Sequence, residues 1–242
     1  MRKIALATAT LLAITACSKH DPILPGVRTA IFDSGAPTVM NTTIDNLPAA
    51  ANAINTTDCP YRQDATNTIW DGERKIFSGF ATNNSVRSNQ APVCSGGFVI
   101  AGLTTGEVVK INPKNRQVVW IADVYRASNM TGGASVLDII APIVIDGGDA
   151  YAGGLGDALC KINIKNGAKK WCTQIGVADA FVIAGNALFV HGTDGAVYAV
   201  RASDGAIYWR TEVSARGAVQ YADGVVRVGK TKINAATGQI IK

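Results

Sequence analysis

The stretch "DGAVYAVRASDGAIYWRTEV" (194–213) holds Asp-Gly twice, ten residues apart, within alternating apolar and polar residues, and a tryptophan stands near its end. Alternation of period two marks a half-buried strand, and Asp-Gly between two such runs marks a hairpin turn. The pattern recurs. "KINPKNRQVVW" (110–120), "KINIKNGAKKW" (161–171), "AVRASDGAIYW" (199–209) and "KINAATGQIIK" (232–242) align without gaps. Each reads as strand, polar turn, strand. The turn carries Gly in three copies and Arg116 in the other, and the second strand ends in Trp120, Trp171, Trp209 or, in the last copy, Lys242. A hairpin loop of this length commonly needs one left-handed residue, which Gly adopts without steric cost. The tryptophans are read as structural, each a large apolar surface at a fixed place in its unit.

Each hairpin has a prelude of strand, Gly turn, strand, Gly turn: "APVCSGGFVIAGLTTGEVV" (91–109), "PIVIDGGDAYAGGLGDALC" (142–160) and "AFVIAGNALFVHGTDGAVY" (180–198). The tryptophans fall 51 and 38 residues apart, the longer interval holding an insertion before Pro142. Four short strands in about 40 residues is the pattern of a propeller blade. The expected fold is therefore all-β, a β-propeller of four-stranded antiparallel blades. Three blades are clear, a fourth (218–242) reads as shortened, and "TIWDGERKIFSG" (68–79) supplies further strands, read as an edge that pairs with the C-terminal blade. Closed propellers usually have four to eight blades, so a count of four to five is compatible with a closed ring and with an incomplete or open one.

The N-terminus reads as an export signal. Arg2 and Lys3 precede "IALATATLLAITA" (4–16), too short an apolar run to span a bilayer as a helix. "ITAC" (14–17) resembles the lipobox of bacterial lipoproteins, which implies cleavage after residue 16 and lipid attachment at Cys17. An Asp after that cysteine would suggest inner-membrane retention; Ser18 favours the outer membrane. The expected organisation is a signal peptide (1–16), an extended lipidated tether (17–65) with no periodicity, and the repeat domain (66–242). Removing residues 1–16 takes away two positive charges and lowers the net charge from +5 to +3. That excess is small and evenly spread, and it argues against nucleic acid as a partner.

Cys59, Cys94, Cys160 and Cys172 remain after Cys17, an even number that suggests two disulfides in an exported chain. A count does not assign the pairs. The hairpin register does place Cys160 and Cys172 symmetrically about Asn166, facing each other across two strands at bonding distance. Cys59 and Cys94 are then the other pair.

One motif misleads, and other candidates for chemistry are missing. "GVVRVGKT" (224–231) fits the P-loop consensus letter for letter. Its middle reads as a strand, however, and a hairpin follows where a phosphate-binding helix is required. The two histidines, His20 in the tether and His191 in a β-turn region, have no partners at metal-ligand spacing. There is no nucleophile elbow and no plausible triad. No metal site and no cofactor is expected.

The repeat ending "ASDGAIYW" resembles that of the pyrroloquinoline-quinone-type propellers. Together with the lipobox it resembles the BamB family, lipoproteins of the outer-membrane β-barrel assembly machinery. "LPGVRTAIF" (24–32), "DIIAPIVIDGGDAYAGGLGDALCKINIKNGAKKW" (138–171) and "VADAFVIAGNALFVHGTDGAVYAVRASDGAIYW" (177–209) carry that likeness. Family members generally have eight blades, more than this chain supplies. The resemblance implies a non-catalytic periplasmic scaffold, anchored by lipid to the outer membrane, that binds BamA, works with the other barrel-assembly subunits and helps deliver unfolded outer-membrane proteins. It also implies partner contacts in loops that precede Ala-Pro strand starts. "SVRSNQAP" (85–92) puts Val86 and Arg87 in one such loop, and "SVLDIIAP" (135–142) puts Asp138 in another. An envelope lipoprotein propeller that binds another protein or a glycan is the alternative. A quinone-dependent dehydrogenase stands third, because this chain has no vicinal cysteine pair and only scattered acids.

Overall fold

The computed structural model describes residues 37–53, 58–82, 91–125 and 136–242. Among the described residues, nineteen strands form five antiparallel sheets, each a simple meander. The first has three strands, β1 (Arg62–Gln63), β2 (Thr68–Asp71) and β3 (Arg74–Ser78). Four sheets of four strands follow. They are β4 (Val93–Ser95) to β7 (Gln117–Asp123), with β5 (Phe98–Gly102) and β6 (Glu107–Asn112) between; then β8 (Val144–Asp146), β9 (Asp149–Gly153), β10 (Leu159–Asn163) and β11 (Lys169–Thr173). Next come β12 (Val182–Ala184), β13 (Ala187–His191), β14 (Ala196–Arg201) and β15 (Ile207–Glu212). The last sheet is β16 (Val219–Ala222), β17 (Val225–Val228), β18 (Thr231–Asn234) and β19 (Ile240–Ile241).

One sequence expectation is corrected here. Residues 68–79 pair with each other and with β1, not with the C-terminal blade. Residues 218–242 make the shortened blade expected, four strands of which the outer is two residues long. The P-loop look-alike is β17 followed by the turn into β18, as its apolar middle required.

A meander blade is apolar on both faces, so it buries itself only by stacking on a neighbour. Four hydrophobic clusters lie between successive sheets, first to second through fourth to fifth. Among the described residues no cluster joins the first sheet to the fifth, so the row of blades stays open. The seam between the first two sheets is partly polar. Asn67, fully buried and left-handed (φ 60°), donates to Thr104 Oγ1 at 2.8 Å and accepts the Thr104 N–H at 2.9 Å.

The repeat is explained by the other seams. Trp120 Nε1 donates to the Ile164 carbonyl (3.1 Å), Trp171 Nε1 to that of Ala202 (3.1 Å) and Trp209 Nε1 to that of Ala235 (2.9 Å). The three acceptors occupy one repeat position, the fourth. Lys110 and Lys161, the cross-strand partners of Trp120 and Trp171, donate to the same Ile164 and Ala202 carbonyls. Each indole also lies against the turn glycine of the next blade. A Cβ on Gly167, Gly205 or Gly238 would sit 2.7 Å from the ring of Trp120, Trp171 or Trp209, respectively. Those glycines have φ between 74° and 79°, so handedness and space both demand Gly there. Arg116 holds the same left-handed conformation (φ 60°) but is exposed, with no preceding tryptophan stacked on it.

Asp64, in the turn between β1 and β2, yields an acid-stability prediction. Burial alone would raise its pKa, but hydrogen bonds from Trp70 Nε1, the Thr66 hydroxyl and the Thr68 and Thr66 amides outweigh this and bring it down to about 2. A depressed carboxyl pKa stabilises the fold above the unfolded value near 4, and the contribution vanishes as pH falls through 2. Asp64→Asn is expected to flatten the loss of stability between pH 4 and pH 2 by on the order of 1 kcal/mol, the full shift being discounted for the group's partial exposure. Urea titrations of both proteins across that window check it, and parallel curves contradict it.

Candidate partner-binding face

Antiparallel meanders put alternate turns on opposite faces. On one face lie the turns between the second and third strands of each blade, together with the crossovers from blade to blade. A repeated set of backbone bonds ties them: Leu155 N–H to Asp138 O, Val177 N–H to Gly154 O, Thr193 N–H to Gly176 O and Val213 N–H to Gly195 O. The crossovers touch closely. A Cβ on Gly154 would fall 2.0 Å from the Asp138 carbonyl oxygen. Asp138 is itself completely buried within its crossover.

The opposite face is covered by residues 37–53, which run across the last three blades. Met40 and Thr42 donate N–H groups to the Ile207 and Tyr208 carbonyls, Ile44 donates to Ala236, and Asp223 donates back to Ala49. Tyr221 Oη donates to the Pro48 carbonyl. Asn52 closes the strap, donating from Nδ2 to Asp146 (3.2 Å) and accepting the Gly185 N–H (2.8 Å). Its side chains alternate too little to reveal this docking, which is made largely through backbone atoms.

The crossover face holds a cavity of about 680 Å³, lined by Ile140, Leu155, Asp179, His191, Val213 and Arg216 among others. His191 corrects the sequence reading. It is the last residue of β13, only 4% exposed, and neither ring nitrogen meets a hydrogen-bond partner among the described residues. Beside it the turn at 192–195 is braced. Asp194 accepts from Tyr198 Oη (2.6 Å) and from Arg210 (2.8 Å), and Arg210 also reaches Glu212 (3.1 Å). Burial and the neighbouring Asp194 carboxylate push the Tyr198 phenol up to about 12, so it stays a donor at any physiological pH.

The remaining sequence candidates are distributed as follows. Cys160 and Cys172 face each other in register and are bonded, with Cα atoms 4.1 Å apart. Cys59 and Cys94 are bonded, Cα atoms 5.1 Å apart, tying the chain before β1 to β4. Cys17, Val86 and Arg87 lie outside the described residues; residues 86 and 87 fall in the chain between β3 and β4. Among the described residues no three His, Cys, Asp or Glu side chains are grouped to hold a metal ion, and no helix is long and apolar enough to cross a membrane.

An open row of meander blades, stitched by a tryptophan at three of its four seams and presenting its crossovers on one face, defines a repeat propeller. The particular family follows from comparison with known proteins. Residues 34–211 and 173–240 match the family described as outer membrane protein assembly factor BamB, and the chain belongs to that family. It is 24% identical over 126 residues to the outer membrane protein assembly factor BamB of Yersinia pestis, a match covering 52% of this chain and 32% of that protein. The crystal structure of BamB from Moraxella catarrhalis superposes with a TM-score of 0.52 at 15% identity, covering 83% of this chain and 64% of that one. A quinohemoprotein alcohol dehydrogenase from Pseudomonas putida HK5 gives 0.51 at 13% identity, over 86% of this chain and 45% of that one. At these identities the two structures share the fold alone. The chain thus spans about a third of the curated relative.

Proposed function

We propose that this protein is a non-catalytic periplasmic accessory of the outer-membrane β-barrel assembly machinery, held to the outer membrane by lipid on Cys17. It binds BamA through its crossover face and, with the other assembly subunits, assists unfolded barrel proteins. The observation that carries this reading is the division of labour between the two faces. Residues 37–53 dock on the turn face, and none of their backbone bonds reaches the crossovers, the face we assign to the partner. Arg87 is the contact we assign to that partner, with Val86 beside it. Asp138, being buried, serves instead by holding its crossover against Gly154, so an Asp138→Arg change would disturb folding before it reported on binding.

Photo-crosslinking tests the assignment of faces. A photoreactive residue at position 86 is expected to capture BamA in whole cells, and the same residue at the exposed Lys165, in a turn-face hairpin, is not. Capture from position 165 but not from 86 reverses the orientation.

A further inference from the structure

The outer strands of the blades are not alike. Among the described residues each has an edge that no further strand covers, and such an edge invites pairing with another chain. Charged side chains ordinarily guard against this. β3 shows Arg74 and Lys75 to solvent, β11 shows Lys169 and Lys170, and β15 shows Arg210 and Glu212. β19 is only two residues long and is followed by Lys242. β7 lacks these guards. It has seven residues, the longest of the described strands, and residues 117–122 carry no charge. Val118, Val119 and Ile121 are 43%, 44% and 51% exposed. The main chain is open as well. Val124 N–H donates to the Gly106 carbonyl on the β6 side, so the alternation of an antiparallel ladder turns the groups of Ile121 and Asp123 away from β6. No bridge among the described residues meets them there.

The two ends of the strand differ in charge. Arg116 stands just before β7 and Asp123 closes it. Both are exposed, and neither forms an ion pair among the described residues. We infer that β7 pairs edge to edge with the β7 of a second copy of this chain, antiparallel about a two-fold axis. A strand that is basic at one end and acidic at the other is its own complement when reversed. Full overlap sets Arg116 of each copy beside Asp123 of the other, and lays the exposed valines and isoleucine of one strand along those of its twin. An unrelated extended segment would gain the same main-chain bonds without matching both end charges. β7 is the outer strand of its blade, away from the crossovers, so the inference goes beyond the proposed function and holds whether or not BamA is the partner.

The test uses the full-length protein in isolated membranes and a short thiol-to-thiol crosslinker. Ile121→Cys, a change at an exposed position, is expected to give at least tenfold more covalent dimer than Lys170→Cys on β11 or the wild type. Asp123→Arg in the Ile121→Cys protein is expected to lower the dimer at least tenfold. Adding Arg116→Asp, which reverses both end charges, is expected to restore it. No dimer from position 121, or as much from position 170 or from wild type, overturns the inference. An adduct with another protein in place of the dimer also overturns it and makes β7 a strand-capturing edge. So does a charge-reversed protein that stays monomeric. A protein that forms the dimer but does not bind BamA would sink the proposed function and leave this inference standing.

Discussion

Trp209→Ala is expected to lower stability by about 3–5 kcal/mol, the largest effect of any seam substitution. The ring is 3% exposed and packs 5.9 Å from Phe189, which in turn stacks on Tyr221 at 5.3 Å. Its N–H satisfies Ala235, and its face covers Gly238. Removing it opens a cavity, strands a carbonyl and uncovers a turn, all at the one seam that holds the last blade. Against a typical total of about 5–15 kcal/mol, the loss is severe. Because each blade leans on its neighbours, the damage should be local first. Urea unfolding gives the magnitude, and amide exchange should show β16 to β19 losing protection before β8 to β11. Trp171 is only partly buried, so Trp171→Ala is expected to cost less; the reverse order would contradict this account of the seams.

The second large effect is loss of the Cys59–Cys94 bond. It closes a loop of 35 residues, for which the chain-entropy argument gives about 4 kcal/mol, against about 3 kcal/mol for the 12-residue Cys160–Cys172 loop. The first sheet also has the least to fall back on. It has three strands, one of them two residues long, and leans on the second sheet through Ile69, Ile76 and the Asn67–Thr104 bonds. Replacing Cys59 and Cys94 by serine is expected to free β1 to β3 while the later blades stay folded. Proteolysis should then cut between residues 54 and 92 and leave a resistant C-terminal fragment. Uniform resistance in the double variant would show that the bond contributes little.

Much of this was legible in the repeat. Alternation located the strands of four blades, and the fixed Gly and Trp marked the turns and seams. The Lys of "KIN" was visible at the same register, but its role was not, because its acceptor carbonyl lies in the next blade. The pattern also marks the seam that differs: Arg116 stands where no tryptophan stacks, and that seam is held by Asn67 and Thr104 instead. The strap at 37–53 was not legible, since backbone hydrogen bonds to distant turns leave no periodic trace. His191 was misplaced for a related reason. The Gly after it reads as a turn, but β13 continues through the histidine and buries it against the crossovers. The Ala-Pro motif marks Asp138 as a loop contact for a partner, whereas the residue is completely buried by crossover packing that no local pattern encodes.

The central claim is that the crossover face holds BamA. Its most direct test is a pull-down of the lipidated protein from solubilised outer membranes, wild type beside Arg87→Glu. The account predicts that BamA co-purifies with wild type and falls at least tenfold with the variant, while both proteins unfold at the same urea concentration. Wild type that brings down no BamA, or a variant that brings down as much, would contradict it.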